Sequence, residues 1–140
     1  PARVEAQPVT VEVKPVALEP LSVAPAKLQV EVTVELPEGY KLNPELTPSF
    51  RVKQTGGPLV SDEFAGARHE VDAAKEGRLS FTVPFEAAAK SGELHLSVSF
   101  GYCRGGQGGL CKIQSRAWTL PVKIDPQAPS QPLKLSAKVE

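Results

Sequence analysis

The sequence predicts an all-β fold, an immunoglobulin-like antiparallel β-sandwich of about seven to nine strands, on three observations. Apolar residues recur with a period of two in several separate stretches, as in Leu28, Val30, Val32, Val34 and Leu36, which is the spacing of a strand with one buried face. Fourteen prolines and eleven glycines break the chain into short pieces; both supply turn geometry and interrupt helices. Helical periodicity is scarce, and the chain has no methionine.

In chain order, residues 1–25 read as a proline-rich lead-in. Within it Val9, Val11 and Val13 alternate with Thr10 and Glu12, and the bracketing prolines predict an edge strand. Residues 26–140 are expected to be one sandwich domain, since a chain of 140 residues buries one core and not two. Leu28 to Leu36 is the cleanest half-buried strand and ends at Pro37-Glu38-Gly39-Tyr40, a turn sequence. Phe50 to Lys53 predicts a short strand that stops at Gly56-Gly57-Pro58. Residues 59–77 are polar and mixed, with a short strand over Arg68 to Val71. Leu79, Phe81, Val83 and Phe85 alternate with Ser80 and Thr82 in a further strand. Glu86 to Lys90 contains three alanines and predicts one helical turn, closed by Gly92. Asp125 to Pro132 reads as a stiff connector, and Leu133, Leu135, Ala137 and Val139 as a last strand. Val30, Val32 and Val34 are expected to face Phe81, Val98 and Leu120.

The most informative stretch is Glu93 to Ile124. Leu94, Leu96, Val98 and Phe100 alternate with His95, Ser97 and Ser99, and Trp118, Leu120, Val122 and Ile124 alternate with Thr119, Pro121 and Lys123. Two long strands are therefore joined by Tyr102-Cys103-Arg104-Gly105-Gly106-Gln107-Gly108-Gly109-Leu110-Cys111. Continuing the alternation turns Tyr102 toward the core and both Cys103 and Cys111 away from it. Ile113 shares the outward parity, so a bulge is expected near Ser115. Trp118 reads as a core residue on an apolar strand face.

Composition excludes several classes of function. Sixteen basic and sixteen acidic residues balance, whereas nucleic-acid binding calls for a basic excess. No apolar run reaches the 18 or more residues of a membrane span. The chain opens at Pro1 with no basic-then-apolar segment, so no signal peptide is visible and a piece of a longer protein or a mature product is expected. The sequence carries no Gly-x-Ser-x-Gly elbow, and Gly105 to Gly109 precedes a strand rather than the helix of a phosphate-binding loop. No cofactor is expected.

The only two cysteines lie eight positions apart and admit two readings. As a clamp, a disulfide closing a loop of roughly nine residues removes about 2.5 kcal/mol of unfolded-state entropy. As a redox pair, Cys103 and Cys111 exchange disulfides with a partner. Arg104 and Lys112 sit beside them in sequence, and cationic neighbours favour a thiolate. Glycines also admit a close partner backbone. A zinc site from Cys103, Cys111, His69 and His95 would lack any paired-ligand spacing. His95 reads as an exposed strand residue and His69 as a loop residue. A stable disulfide would point to a periplasmic or other extracytoplasmic compartment, and a labile pair is compatible with the cytoplasm.

Two motifs together carry a family resemblance. Leu36-Pro37-Glu38-Gly39-Tyr40-Lys41-Leu42 follows a strand, and Val98-Ser99-Phe100-Gly101-Tyr102-Cys103 is followed by Gly109-Leu110-Cys111. This pairing resembles the periplasmic amino-terminal domain of thiol:disulfide interchange proteins of the DsbD family. The stretch from Tyr102 to Pro121 is more similar to the carboxy-terminal β-domain of thioredoxin-like proteins that carry NHL-repeat propellers, in its Tyr-Cys-Arg, Gly-Leu-Cys and Trp followed by a Pro-Val strand. The resemblance covers roughly residues 25–125. It implies an immunoglobulin-like sandwich, Cys103 and Cys111 as an exchanging pair, and Gly39-Tyr40 as the early turn. Tyr40 and Tyr102, with Phe64, are the aromatic residues that would cap it, and Arg104 and Lys112 would modulate it. The implied partner is a thioredoxin-like module or an NHL propeller in the same polypeptide. A non-catalytic interaction module with a structural disulfide is the alternative.

Overall fold

A computed structural model of the chain describes residues 14–43, 45–75, 77–105 and 110–139. The edge strand expected at Val9–Val13 lies outside the described residues. The described residues form eleven strands and no helix, in two sheets that enclose one apolar core. The all-β sandwich is thus in place, with more strands than expected because several short ones lie between the long ones.

In order, the strands are β1 (Val16–Ala17), β2 (Leu21–Val23), β3 (Lys27–Glu35), β4 (Tyr40–Leu42), β5 (Ser49–Thr55) and β6 (His69–Glu70). They continue with β7 (Ala73–Lys75), β8 (Arg78–Pro84), β9 (Ser91–Arg104), β10 (Cys111–Ile124) and β11 (Leu133–Lys138). The larger sheet runs β1-β10-β9-β5-β6, with β2 also on β10 and β4 also on β9. The smaller runs β11-β3-β8-β7. Most pairings are antiparallel, but β1 and β2 run parallel to β10, and β11 runs parallel to β3. The connector after Ile124 carries the chain from one sheet to the other, which is what a parallel neighbour requires. Both β1 and β2 come from the stretch read as lead-in, and Val23 is buried in the core.

Val30, Val32 and Val34 point inward, as do Phe81, Val98 and Leu120. Phe81 is not across from them, however: it pairs beside Val30 in the same sheet, while Val98 and Leu120 belong to the facing one. The cross-sheet partner of Phe81 is Phe50, stacked at 4.0 Å between ring centroids and 17° between planes. Where one helical turn is expected at Glu86–Lys90, the chain makes a hydrogen-bonded β-turn with no helical residues, the Ala89 amide donating to the Glu86 carbonyl at 3.0 Å. So short a window cannot offset helix nucleation, and the chain must reverse at once into β9. The polar reading of residues 59–77 also needs correction at its start, since Leu59 and Val60 are fully buried. The Gln54 amide holds them there: its oxygen accepts from the Leu59 and Val60 amides at 2.7 and 2.9 Å, and its nitrogen donates to the Val60 carbonyl at 3.0 Å. No helix among the described residues is long and apolar enough to cross a membrane.

Because Phe81 joins the two sheets through a ring stack, Phe81→Ala is expected to destabilise the chain by about 3–5 kcal/mol. The exposed Val16→Ala should stay within about 0.5 kcal/mol. Urea denaturation followed by tryptophan fluorescence measures both.

Candidate functional site

The site is built on the β9–β10 hairpin, whose strands pair in unbroken register from Cys103 opposite Cys111 to Ser91 opposite Lys123. No bulge interrupts it near Ser115, which pairs with Ser99 in step. Ile113 therefore stays on the outward face and is 69% exposed. Inward go Leu94, Leu96, Val98, Phe100 and Tyr102, with Trp118, Leu120 and Val122, all buried. Outward go Cys103 and Cys111, then Gly101 and Ile113, then Ser99 and Ser115. The Arg104 amide donates to the Leu110 carbonyl at 3.0 Å, so that pair is hydrogen-bonded and the next one, Cys103 and Cys111, is not. Side chains lie closer at such pairs. The Ser99 and Ser115 hydroxyls, at another, meet at 2.8 Å. Cys103 and Cys111 form a disulfide with Cα atoms 4.0 Å apart. It lies on the outward face of the sheet; Cys103 is half-buried and Cys111 exposed.

The difference between the two sulfurs comes from β4, which pairs with β9 and sets Lys41 opposite Cys103. The turn that launches β4 depends on Gly39, whose φ of +88° suits glycine; the Tyr40 amide closes it on the Pro37 carbonyl at 3.1 Å. β4 and β5 both pair with β9, Leu42 opposite Tyr102 and Ser49 opposite Ser99, so the chain joining them is longer than the stretch of β9 it passes. The surplus leaves the sheet as an excursion beside the disulfide. At its base the Asn43 amide donates to the Gly101 carbonyl at 2.9 Å. The Asn43 side-chain oxygen accepts from the Glu45 amide at 3.0 Å, and its nitrogen donates to Cys103 Sγ at 3.3 Å. Since a backbone N–H can only donate, the Glu45 contact fixes which end of the carboxamide faces sulfur. Leu46 folds back onto Gly101, where an added Cβ would come within 2.6 Å of the Leu46 Cβ. Gly39, Lys41, Leu42, Asn43, Cys103, Arg104 and Gly105 line a shallow hollow of about 320 Å³ here.

The residues expected around the cysteines divide between the two faces. Arg104 and Lys112 adjoin the cysteines in sequence but have the opposite parity. Lys112 Nζ sits 5.9 Å from the centre of the Tyr40 ring, and the Arg104 stem passes Gly39. Of the cations beside the bond, Lys41, opposite Cys103, is the one on the sulfurs' own face. Tyr40 and Tyr102 meet edge to face at 5.5 Å on the inner side, while Phe64 stacks on His69 at 4.0 Å. None of the three is placed as a lid over the sulfurs. Beneath the tip a polar chain replaces the core: Arg116 donates to the Lys138 carbonyl at 3.0 Å and to Gln114 at 3.1 Å, and Gln114 donates to the Tyr102 hydroxyl at 3.5 Å. Among the described residues no three His, Cys, Asp or Glu side chains gather as metal ligands. His95 contacts Thr55 and Thr119 on the outer face. Nothing local to Asn43 points to a cysteine; an Asn-Pro dipeptide is at most a turn signal.

Comparison of the sequence with known protein families and with characterised proteins finds no match.

Gly101→Ala is expected to cost about 1–3 kcal/mol through overpacking against Leu46. Adding Leu46→Ala should not relieve it, because the Cβ of residue 46 remains; Leu46→Gly should. Thermal melts of the single and double variants check this.

Proposed function

We propose that this chain is the accessory β-sandwich domain of a thioredoxin-like, NHL-repeat protein, and that it exchanges disulfides through Cys103 and Cys111 with a thioredoxin-like dithiol module. The observation that carries this reading is the outward disposition of the bond: it sits on the solvent side of the sheet, with Cys111 exposed. Exchange begins with a thiolate reaching a disulfide sulfur in line with the bond, and a staple inside the core would offer no such approach. The partner's thiolate attacks Cys111 Sγ, and the electron pair of the broken bond passes to Cys103 Sγ. The partner's second thiol loses its proton and attacks its own sulfur in the mixed disulfide, releasing Cys111. The partner ends as a disulfide and this domain as a dithiol, two electrons and two protons richer; the reverse sequence oxidises it.

One observation favours a non-catalytic clamp instead: the bond closes the mouth of the glycine-rich loop, where a cross-link removes unfolded-state entropy. Equilibration against glutathione and thioredoxin buffers separates the readings. An exchanging pair should show a reduction potential above about −300 mV, and a clamp one below it. Cys103→Ser, which leaves the exposed sulfur, should trap a mixed disulfide with a thioredoxin-like dithiol far better than Cys111→Ser. A bond that stays fully oxidised in thioredoxin buffer, with no trapping by either variant, would refute exchange and leave the clamp.

A further inference from the structure

We infer that Asn43 is the leaving-group donor of this disulfide, held in place by the strand excursion between Leu42 and Ser49. The inference rests on the exchange reading and adds to it the residue that makes the two sulfurs unequal.

Three observations carry it. The Asn43 side-chain nitrogen lies 3.3 Å from Cys103 Sγ and is turned toward it by the Glu45 amide on the carboxamide oxygen. Asn43 has no side chain directly opposite it, because its neighbour across the ladder is Gly101; the carboxamide therefore reaches diagonally to the next outward residue, Cys103. The excursion is anchored at both sides of Asn43, by its amide on the Gly101 carbonyl and by the Leu46 amide on the Asn43 carbonyl at 3.0 Å. The donor is thus set before reaction begins.

The energetic effect is differential. A divalent sulfur in a disulfide is a weak acceptor, while a thiolate carries a full charge, and bonds to charged acceptors are roughly twice as strong as neutral ones. The Asn43 N–H gains most when the Cys103–Cys111 bond breaks toward Cys103. Attack on Cys111, forming the partner–Cys111 bond and expelling Cys103 as thiolate, is favoured. Attack on Cys103 would expel Cys111, which has no such donor among the described residues. Lys41, opposite Cys103 on β4, adds positive charge to the same face.

The test uses the 140-residue chain with Asn43→Ala and with Asn43→Asp, which keeps an oxygen for the Glu45 amide but removes the donor and adds negative charge. In a Cys111→Ser background, thiolate absorbance across pH reads the Cys103 titration directly. Asn43→Ala should raise the Cys103 pKa by about one unit, a tenfold loss of thiolate at fixed pH, and Asn43→Asp by more. In the disulfide form, reduction by dithiothreitol should slow severalfold in Asn43→Ala, by less than the tenfold change in thiolate because the leaving sulfur carries only part of the charge in the transition state, and further in Asn43→Asp. An unchanged Cys103 pKa and unchanged reduction rate in both variants would overturn the role of Asn43. A parent chain whose bond resists thioredoxin buffer would sink the exchange reading alone, since the Cys103 titration still decides whether Asn43 stabilises the thiolate.

Discussion

β9 and β10 hold one register over thirteen consecutive pairs, and the positions of the core, the disulfide and the excursion all follow from it. A period of two gives every residue of the hairpin one of two faces, and a slip by one residue would exchange them all. The inward set includes Leu94, Leu96, Val98, Phe100 and Tyr102 on β9, and Trp118, Leu120 and Val122 on β10. Burying a side chain of this size contributes about 1.5–3 kcal/mol, so a slip that exposed the set would cost many times the worth of any contact at the tip. Core burial near the base of the hairpin therefore holds two cysteines on the solvent face at its far end.

That arrangement supplies a bond, and the flanks of the hairpin make its two sulfurs unequal: β9 is lined by β4 and β5, whereas the outer edge of β10 is bare near the tip among the described residues. β4 reaches the tip alongside Cys103, whereas β1 and β2 touch β10 only from Trp118 onward. Cys103 accordingly has a strand beside it, and Cys111 among the described residues does not. The excursion after Leu42 deepens the asymmetry by placing a carboxamide against one sulfur. Gly101 makes room for it, lacking the side chain that would otherwise meet Leu46.

Support from below is polar where the sandwich tapers. The side chains of Arg116, Gln114 and Tyr102 link the hairpin to the Lys138 carbonyl at the end of β11, satisfying groups that a purely apolar end would leave without partners. Lys112 lies over the Tyr40 ring on this same inner side. Its charge is thereby spent on the inner face of the sheet, away from the bond it adjoins in sequence.

Much of this was legible in the residues. The alternation from Leu28 to Leu36 and the two halves of the hairpin announced strands with one buried face, and the parity of Cys103 and Cys111 announced an outward pair. The bulge inferred from Ile113 was an artefact of treating an exposed isoleucine as misplaced, although single apolar residues on surfaces are ordinary. Of the short strands, β6 lies within the one expected over Arg68 to Val71, whereas β1, β2, β4 and β7 escaped notice because two or three residues carry too little periodicity to register. Linear adjacency also misdirected the choice of cations: neighbours in a strand point to opposite faces, so Arg104 and Lys112 are next to the cysteines in the chain and across the sheet from them in space. Asn43 stands sixty positions from Cys103, and no local pattern could join them. Periodicity is a property of one segment and survives in the sequence, whereas a contact between an excursion and a distant strand exists only once cross-strand register has been chosen.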